Sequence, residues 1–235
     1  MREGARIDAA DGAVVSAPAT VSLRIDFVSD VVCPWCAIGL ASLEQALERL
    51  RGEVQVELHF RPFELNPQLG AEGEDVEGHL LKKYGMSTAD LAASQETIRQ
   101  RGAALGFTFD MDKRRRIYNT FDAHRLLHWA GFEGKQAAFK HALLRAYFTE
   151  GLDVSDHATL AQAAESAGLS ADRARTILAS DEYAEDVRAE ERFFIDNGIQ
   201  AVPAIIIEQR HLISGGQPVE VFENALRQIA AAKRG

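Results

Sequence analysis

An apolar run from Val21 to Val28 is followed by an amphipathic stretch, Ile38 to Leu50. Beyond it, Val54, Val56, Leu58 and Phe60 alternate with Gln55, Glu57, His59 and Arg61. That period of two is the mark of a half-buried strand. The order predicts strand, helix, strand. The first strand ends near Ser29-Asp30, and the helix runs from about Cys33 to Arg51 with Gly52 as its stop.

The matching half of this pattern comes only at the far end. Ala204-Ile205-Ile206-Ile207 and His211-Leu212-Ile213 are short β-rich runs separated by a polar turn, Glu208 to Arg210. A closing helix is predicted from Gln217-Pro218, with proline in its first turn and Val221, Phe222, Ala225, Leu226 and Ile229 on its apolar face.

Between about Gly70 and Gln200 almost everything reads as helix. Ser87-Thr88-Ala89-Asp90 has the spacing of a capping box. Ile117, Phe121, His124, Leu127 and His128 fall at helical spacing, as do Phe139, Leu143, Ala146 and Tyr147. Ser155-Asp156 opens a further helix that Gly168 ends, and another runs from about Asp181 to Asn197-Gly198. The fold class is therefore α/β, split by a large helical insertion.

Composition narrows the function. Apolar residues make up 46% and charged residues 26% of 235 residues, the balance of an ordinary globular protein. A net charge of −9 argues against nucleic acid as a partner. Lys113-Arg114-Arg115-Arg116 is read as a solvated helix start. No stretch approaches the ~20 apolar residues that span a bilayer. Residues 1–20 lack a continuous apolar segment and are expected to form a disordered extension, not a signal peptide. A reducing, cytoplasmic setting is the expectation.

The candidate chemistry lies at the first strand-to-helix junction. Cys33-Pro34-Trp35-Cys36 holds the only two cysteines of the chain. The positive end of a helix dipole stabilises a thiolate at Cys33, and Cys36 stands close enough to attack a mixed disulfide there. Such a pair also occurs in zinc sites, but zinc takes about four ligands. No further cysteine exists, and His124 and His128, the one H-x3-H pair, fall on an apolar helix face. They read as core or rim residues, and no metal is expected. Tyr118, Asn119 and His124 are read as packing and hydrogen-bonded interior groups.

Together these features resemble the DsbA-like thioredoxin superfamily, and within it the FrnE-type branch. The matching segments are Cys33-Pro34-Trp35-Cys36 with Ile38-Gly39, Phe63-Glu64-Leu65-Asn66-Pro67, Asn119 with Ala123-His124-Arg125, and Ala146-Tyr147-Phe148 with Glu150-Gly151. Gly198-Ile199-Gln200-Ala201-Val202-Pro203 and Ile213-Ser214-Gly215-Gly216-Gln217 complete them. Ala37 departs from the aromatic residue expected after the second cysteine, and Ala201 from a usual glycine; both bear on substrate fit.

The resemblance implies a thioredoxin-like domain formed by 21–69 and 201–235, with 70–200 as an inserted helical domain. It implies a thiol–disulfide oxidoreductase with Cys33 and Cys36 catalytic and Pro34, Trp35, Val202 and Pro203 at the substrate, the Val202–Pro203 bond being cis. Protein or small-molecule thiols and disulfides are the implied partners. No cofactor is implied beyond glutathione as a co-substrate, and the apolar insertion leaves room for a homodimer face. Two other readings stay open. Kappa-class transferases and 2-hydroxychromene-2-carboxylate isomerases share the inserted-helix fold, but they tend to carry a lone serine at the active position. Ser214-Gly215-Gly216-Gln217 also lacks the acidic residue they use near glutathione. The other reading is a non-catalytic peptide-binding module, against which an intact cysteine pair speaks.

Overall fold

A computed structural model describes residues 20–70 and 72–234. The extension expected over residues 1–20 thus lies outside the described residues, apart from Thr20. β1 (Val21–Ser29), α1 (Pro34–Arg49) and β2 (Val54–Pro62) form the predicted opening. β5 (Ala204–Ile207), β6 (His211–Ser214) and α9 (Val219–Arg234) form the predicted close. The sheet order is β2-β1-β5-β6. β1 runs parallel to β2 from Val21↔Val54 to Ser29↔Pro62. β5 is antiparallel to β1, with Val28 opposite Ala204. This is a thioredoxin fold, and it joins two stretches of chain that lie far apart in sequence.

Burial drives that closure. Ile25, Phe27, Ile38, Leu43, Ile205, Phe222 and Leu226 are all fully buried in one core. Each such side chain contributes about 1.5–3 kcal/mol. α1 and α9 pack against each other, and the ring of Phe27 meets that of Phe60 edge-on at 5.7 Å. α9 begins two residues later than Gln217, and Val221 points outward at 41% exposure, so the apolar face is narrower than predicted.

Helices dominate the stretch between β2 and β5. They are α2 (Val76–Tyr84), α3 (Thr88–Ala104), α4 (Phe121–Phe132), α5 (Gln136–Arg145), α6 (His157–Ser166), α7 (Ala171–Leu178) and α8 (Ala184–Asp196). The capping box forms as predicted: Asp90 N–H donates to Ser87 Oγ at 3.1 Å and Ser87 N–H donates to Asp90 Oδ2 at 3.2 Å. Asp156 likewise caps α6. Two expectations fail locally. Ile117 is not helical but pairs with Glu74 in a small ribbon of β3 (Glu74–Asp75) and β4 (Arg116–Ile117). The basic run lies on the turn into that ribbon, where Arg114 is buried against the Tyr147 and Phe148 rings and donates to Tyr147 Oη at 3.1 Å. Only the Arg114 charge is used internally; Lys113, Arg115 and Arg116 are exposed. α5 contacts β2, and Gln136 locks that contact by bonding both backbone groups of Phe60, at 2.9 and 3.1 Å.

Candidate active site

Cys33 is the N-cap residue of α1, with extended backbone (φ −90°, ψ 112°), and Pro34 enters the first turn where no amide donor is required. The Cys33 carbonyl accepts from the N–H groups of Cys36 (3.1 Å) and Ala37 (3.3 Å). Three residues along a helix return to the same face, so the two thiols sit one above the other. Both are free thiols. Cys33 is 4% exposed and Cys36 wholly buried. Burial pushes the Cys36 thiol well above the ordinary cysteine range, and neighbouring Cys33 adds to the shift. Lys140 and the Asp30 backbone oppose it.

The cis Val202–Pro203 peptide faces this turn, and Cys33 Sγ donates to Val202 O at 3.7 Å. Two glycines allow the approach. A Cβ at Gly39 would stand 3.1 Å from Pro203 Cγ, and one at Gly216 only 2.8 Å from the Trp35 carbonyl oxygen. Arg101 of α3 lies over the half-buried Trp35 ring (5.2 Å) and donates to Gly216 O at 2.6 Å. Cys33, Pro34, Trp35, Cys36, Val202 and Pro203 thus meet at one place. A groove of about 450 Å³ follows the proline loop, lined by Ile199, Val202, Pro203, Leu212 and Ser214. A larger depression, about 740 Å³, lies between α8 and the β5–β6 hairpin, and neither cysteine lines it.

A set of buried polar groups extends from Asp30, on the turn before the cysteines, toward α4 and α8. Asp30 Oδ2 accepts from Leu65 N–H at 2.7 Å, and His124 Nε2 stands 3.5 Å from Asp30 Oδ1. Burial alone would raise the Asp30 carboxyl. His124, the Leu65 amide and Lys140 outweigh it and hold the group below the usual carboxylate range. Arg188 of α8 bridges Glu64 and Glu191, and its guanidinium covers the Phe121 ring at 3.8 Å. Burial and the repulsion of Glu191 push Glu64 up to about 7, against the pull of Arg188 and His124. Tyr84, 57% exposed at the end of α2, feels the charge of Cys33; burial first and that charge second raise its phenol.

Sequence reasoning missed most of this set. Asp30 and Glu64 flank or fall within the quoted motifs but drew no role. Lys140 did carry a signal: it shares the inward face of α5 with Gln136 and Leu143, where a charge is unexpected. Tyr118 and Asn119 lie where packing was expected; Asn119 Nδ2 donates to Leu69 O at 3.3 Å and its Oδ1 accepts from Phe121 N–H at 2.9 Å. Among the described residues, no group of three or more His, Cys, Asp or Glu is arranged to hold a metal ion. No helix among them is long and apolar enough to cross a membrane.

Comparison with known proteins agrees with this architecture. The chain is 27% identical over 208 residues to the uncharacterized protein YwbO of Bacillus subtilis, covering 88% of this chain and 96% of YwbO. The crystal structure of the probable DsbA oxidoreductase SCO1869 from Streptomyces coelicolor superposes with a TM-score of 0.84 at 36% identity, covering 91% of this chain and 92% of that one. The cytosolic disulfide reductase DsbM from Pseudomonas aeruginosa, solved with GSH, shares the fold at a TM-score of 0.58 and 18% identity, over 87% of this chain and 98% of DsbM. The model of the DSBA-like thioredoxin domain matches residues 24–227, and the chain belongs to that family.

Proposed function

We propose that this protein is a thiol–disulfide oxidoreductase whose working groups are Cys33 and Cys36. The observation that carries the reading is the placement of the two thiols. One caps a helix and touches Val202 O; the other lies buried one turn behind it. The helix dipole favours negative charge on the capping sulfur. Cys33 attacks a substrate disulfide and forms a mixed disulfide. Cys36 then attacks Cys33 Sγ, closes the intramolecular bond and releases the second substrate sulfur as a thiol. Run backwards from the oxidised enzyme, the same steps place a disulfide in a dithiol substrate.

Pro34, Trp35, Val202 and Pro203 are proposed to line the substrate side. The Val202 backbone offers an extended substrate a partner for main-chain hydrogen bonds. Protein or small-molecule disulfides are the proposed substrates, with glutathione as the co-substrate that returns the pair to its working state in a reducing, cytoplasmic setting. The assay that tests the reading compares insulin reduction with glutathione conjugation side by side. Wild type should reduce insulin and conjugate nothing, and Cys33→Ser should do neither. Conjugation without reduction would turn the assignment toward the glutathione-dependent transferases and isomerases. Loss of both in wild type would leave a binding module.

A further inference from the structure

Arg101 stands at the cysteine turn with most of its hydrogen-bonding capacity unspent. It reaches from α3 onto the thioredoxin half. Its guanidinium carbon lies 5.2 Å from the centre of the Trp35 ring, and Nη2 donates to Gly216 O at 2.6 Å. Gly216 itself stands against the Trp35 carbonyl, where a Cβ would come within 2.8 Å of the oxygen. Trp35 separates the two cysteines, so a cation held over its ring sits beside the reacting thiols. A guanidinium has five N–H donors, and the Gly216 carbonyl is the partner they find among the described residues. No carboxylate among those residues pairs with Arg101. Its neighbours on α3 differ: Arg99 takes both oxygens of Glu96, and Gln100 shares one of them. No acidic residue lies between Thr97 and Leu105, so the helix cannot answer the Arg101 charge itself. Arg49, Arg61 and Arg188 each hold a carboxylate. Arg101 is only half-buried, and so open to a ligand.

We propose that Arg101 is a specificity-determining residue that receives a carboxylate carried by the disulfide substrate near its sulfur atoms. This rests on the Cys33–Cys36 exchange proposed above. The Trp35 face and the Gly216 carbonyl already hold the guanidinium, so little freedom is left to lose when its free N–H groups meet an anion. Two parallel N–H donors match the two oxygens of a carboxylate. The chain carries a net charge of −9, so an acidic substrate is repelled at long range and needs a local cation to hold it at the cysteines. The carboxylate belongs to a small disulfide acid or to an acidic side chain beside a cysteine in a polypeptide; the contact with Arg101 is the same. Arg101 exchanges no proton or electron. It selects which disulfide rests beside Trp35 while Cys33 attacks.

The test compares two small disulfides, dithiodipropionate, with a carboxylate on each arm, and hydroxyethyl disulfide, with none. Reduced protein is mixed with each in excess, and the thiols that remain after an acid quench are alkylated and counted by mass spectrometry. The quantity read is the ratio of the two oxidation rates, acidic over neutral, which cancels general damage to the turn. Arg101→Gln should lower that ratio at least about fivefold, as expected for losing one charge-assisted hydrogen bond at a half-buried site. Arg101→Lys keeps the charge without the fork and should restore part of it. A ratio that stays within about twofold of wild type, including equal slowing with both disulfides, overturns the proposal and makes Arg101 a clasp for the turn alone. Peptide disulfides that differ only by Glu or Gln beside the cysteine separate the sources. A Glu-over-Gln ratio that falls in Arg101→Gln marks an acidic side chain as the ligand, and a fall confined to the small acid marks a small-molecule substrate. If Arg101→Gln does not fold, wild type decides: thiodipropionate, a thioether that cannot exchange, should slow oxidation by dithiodipropionate, and uncharged thiodiethanol should not. No difference between the two thioethers overturns the proposal. A wild type that neither disulfide oxidises overturns the exchange reading itself.

Discussion

His124 Nε2 lies 3.5 Å from Asp30 Oδ1, and both side chains are almost wholly buried, although one precedes α1 and the other sits in α4. The pair ties the turn that carries the cysteines to the helical layer behind it. The distance is that of an ion pair without a well-aligned hydrogen bond, and His124 Nε2 has no hydrogen-bond partner among the described residues. Asp30 also accepts from Leu65 N–H at 2.7 Å and from Val32 N–H at 3.5 Å, so one carboxylate ties together the cysteine turn, α4 and the segment after β2.

Asp30→Asn should therefore destabilise the fold by about 3–5 kcal/mol, the range for breaking a buried pair. The sign with pH follows from the lowered carboxyl. Its stabilisation is present above the ordinary carboxylate range and is lost as pH falls through the folded-state value. Urea unfolding of both proteins at neutral pH and in acid measures this. A gap between them that does not shrink in acid would assign the loss to the Leu65 hydrogen bond instead.

Cys36→Ser should leave substrate covalently held on Cys33, because the thiol that completes the exchange is gone. Adducts from a cell lysate should appear on non-reducing gels and vanish with reductant, whereas Cys33→Ser should form none. The opposite result from folded variants would exchange the two roles.

In the Cys33→Ser background, ultraviolet thiolate absorbance reports Cys36 alone. Desolvation is the largest cause of its raised value, and Cys33 comes second. The midpoint should therefore stay well above the ~8.5 of a free cysteine even without its neighbour. A return to that value would make Cys33, not burial, the dominant cause.

Glu64 titrates near 7 in the folded protein and, as an ordinary glutamate, near 4.5 when unfolded. The folded state then binds the extra proton, so wild-type stability falls as pH rises from about 4.5 to about 7 and is level above that. Glu64→Gln should remove this dependence. Its advantage over wild type should grow through that window to at most about 3 kcal/mol, the free-energy equivalent of the shift. Melting temperatures measured at pH 5 and pH 8 test it; parallel profiles would show that Glu64 ionises normally.

Gly216→Ala would set a methyl 2.8 Å from the Trp35 carbonyl oxygen, and backbone cannot yield as a flexible side chain does. The expected cost is about 1–3 kcal/mol. Because the displaced group belongs to the Cys33–Cys36 turn, insulin reduction should fall further than stability alone accounts for. An unchanged rate would mean that the turn tolerates the shift.

Residues 20–62 and 204–234 were legible because the signals there are local. Strand period, the helix entered at Cys33-Pro34 and the Gly52 stop each depend on near neighbours, and the paired cysteines sit within one helical turn. Even so, that β1 and β5 share one sheet followed only from a resemblance spanning the chain, and the register that sets Val28 opposite Ala204 came from the structure. Periodicity says which face a strand buries, not which strand covers it. Ile117 shows the same limit. Its helical spacing was real, but pairing with Glu74 decided its conformation.

The sequence by itself determined the order of elements and the pair of thiols, because hydrophobic period and nearest-neighbour spacing act within a few residues. Tertiary structure alone decided that Asp30 meets His124, that Glu64 and Glu191 share Arg188, and that the Lys140 amine is buried without a hydrogen-bond partner among the described residues. A charged residue reads the same in sequence whether water or a protein core surrounds it. Its ionisation depends on which distant groups the fold brings within a few ångströms and on how much water they displace.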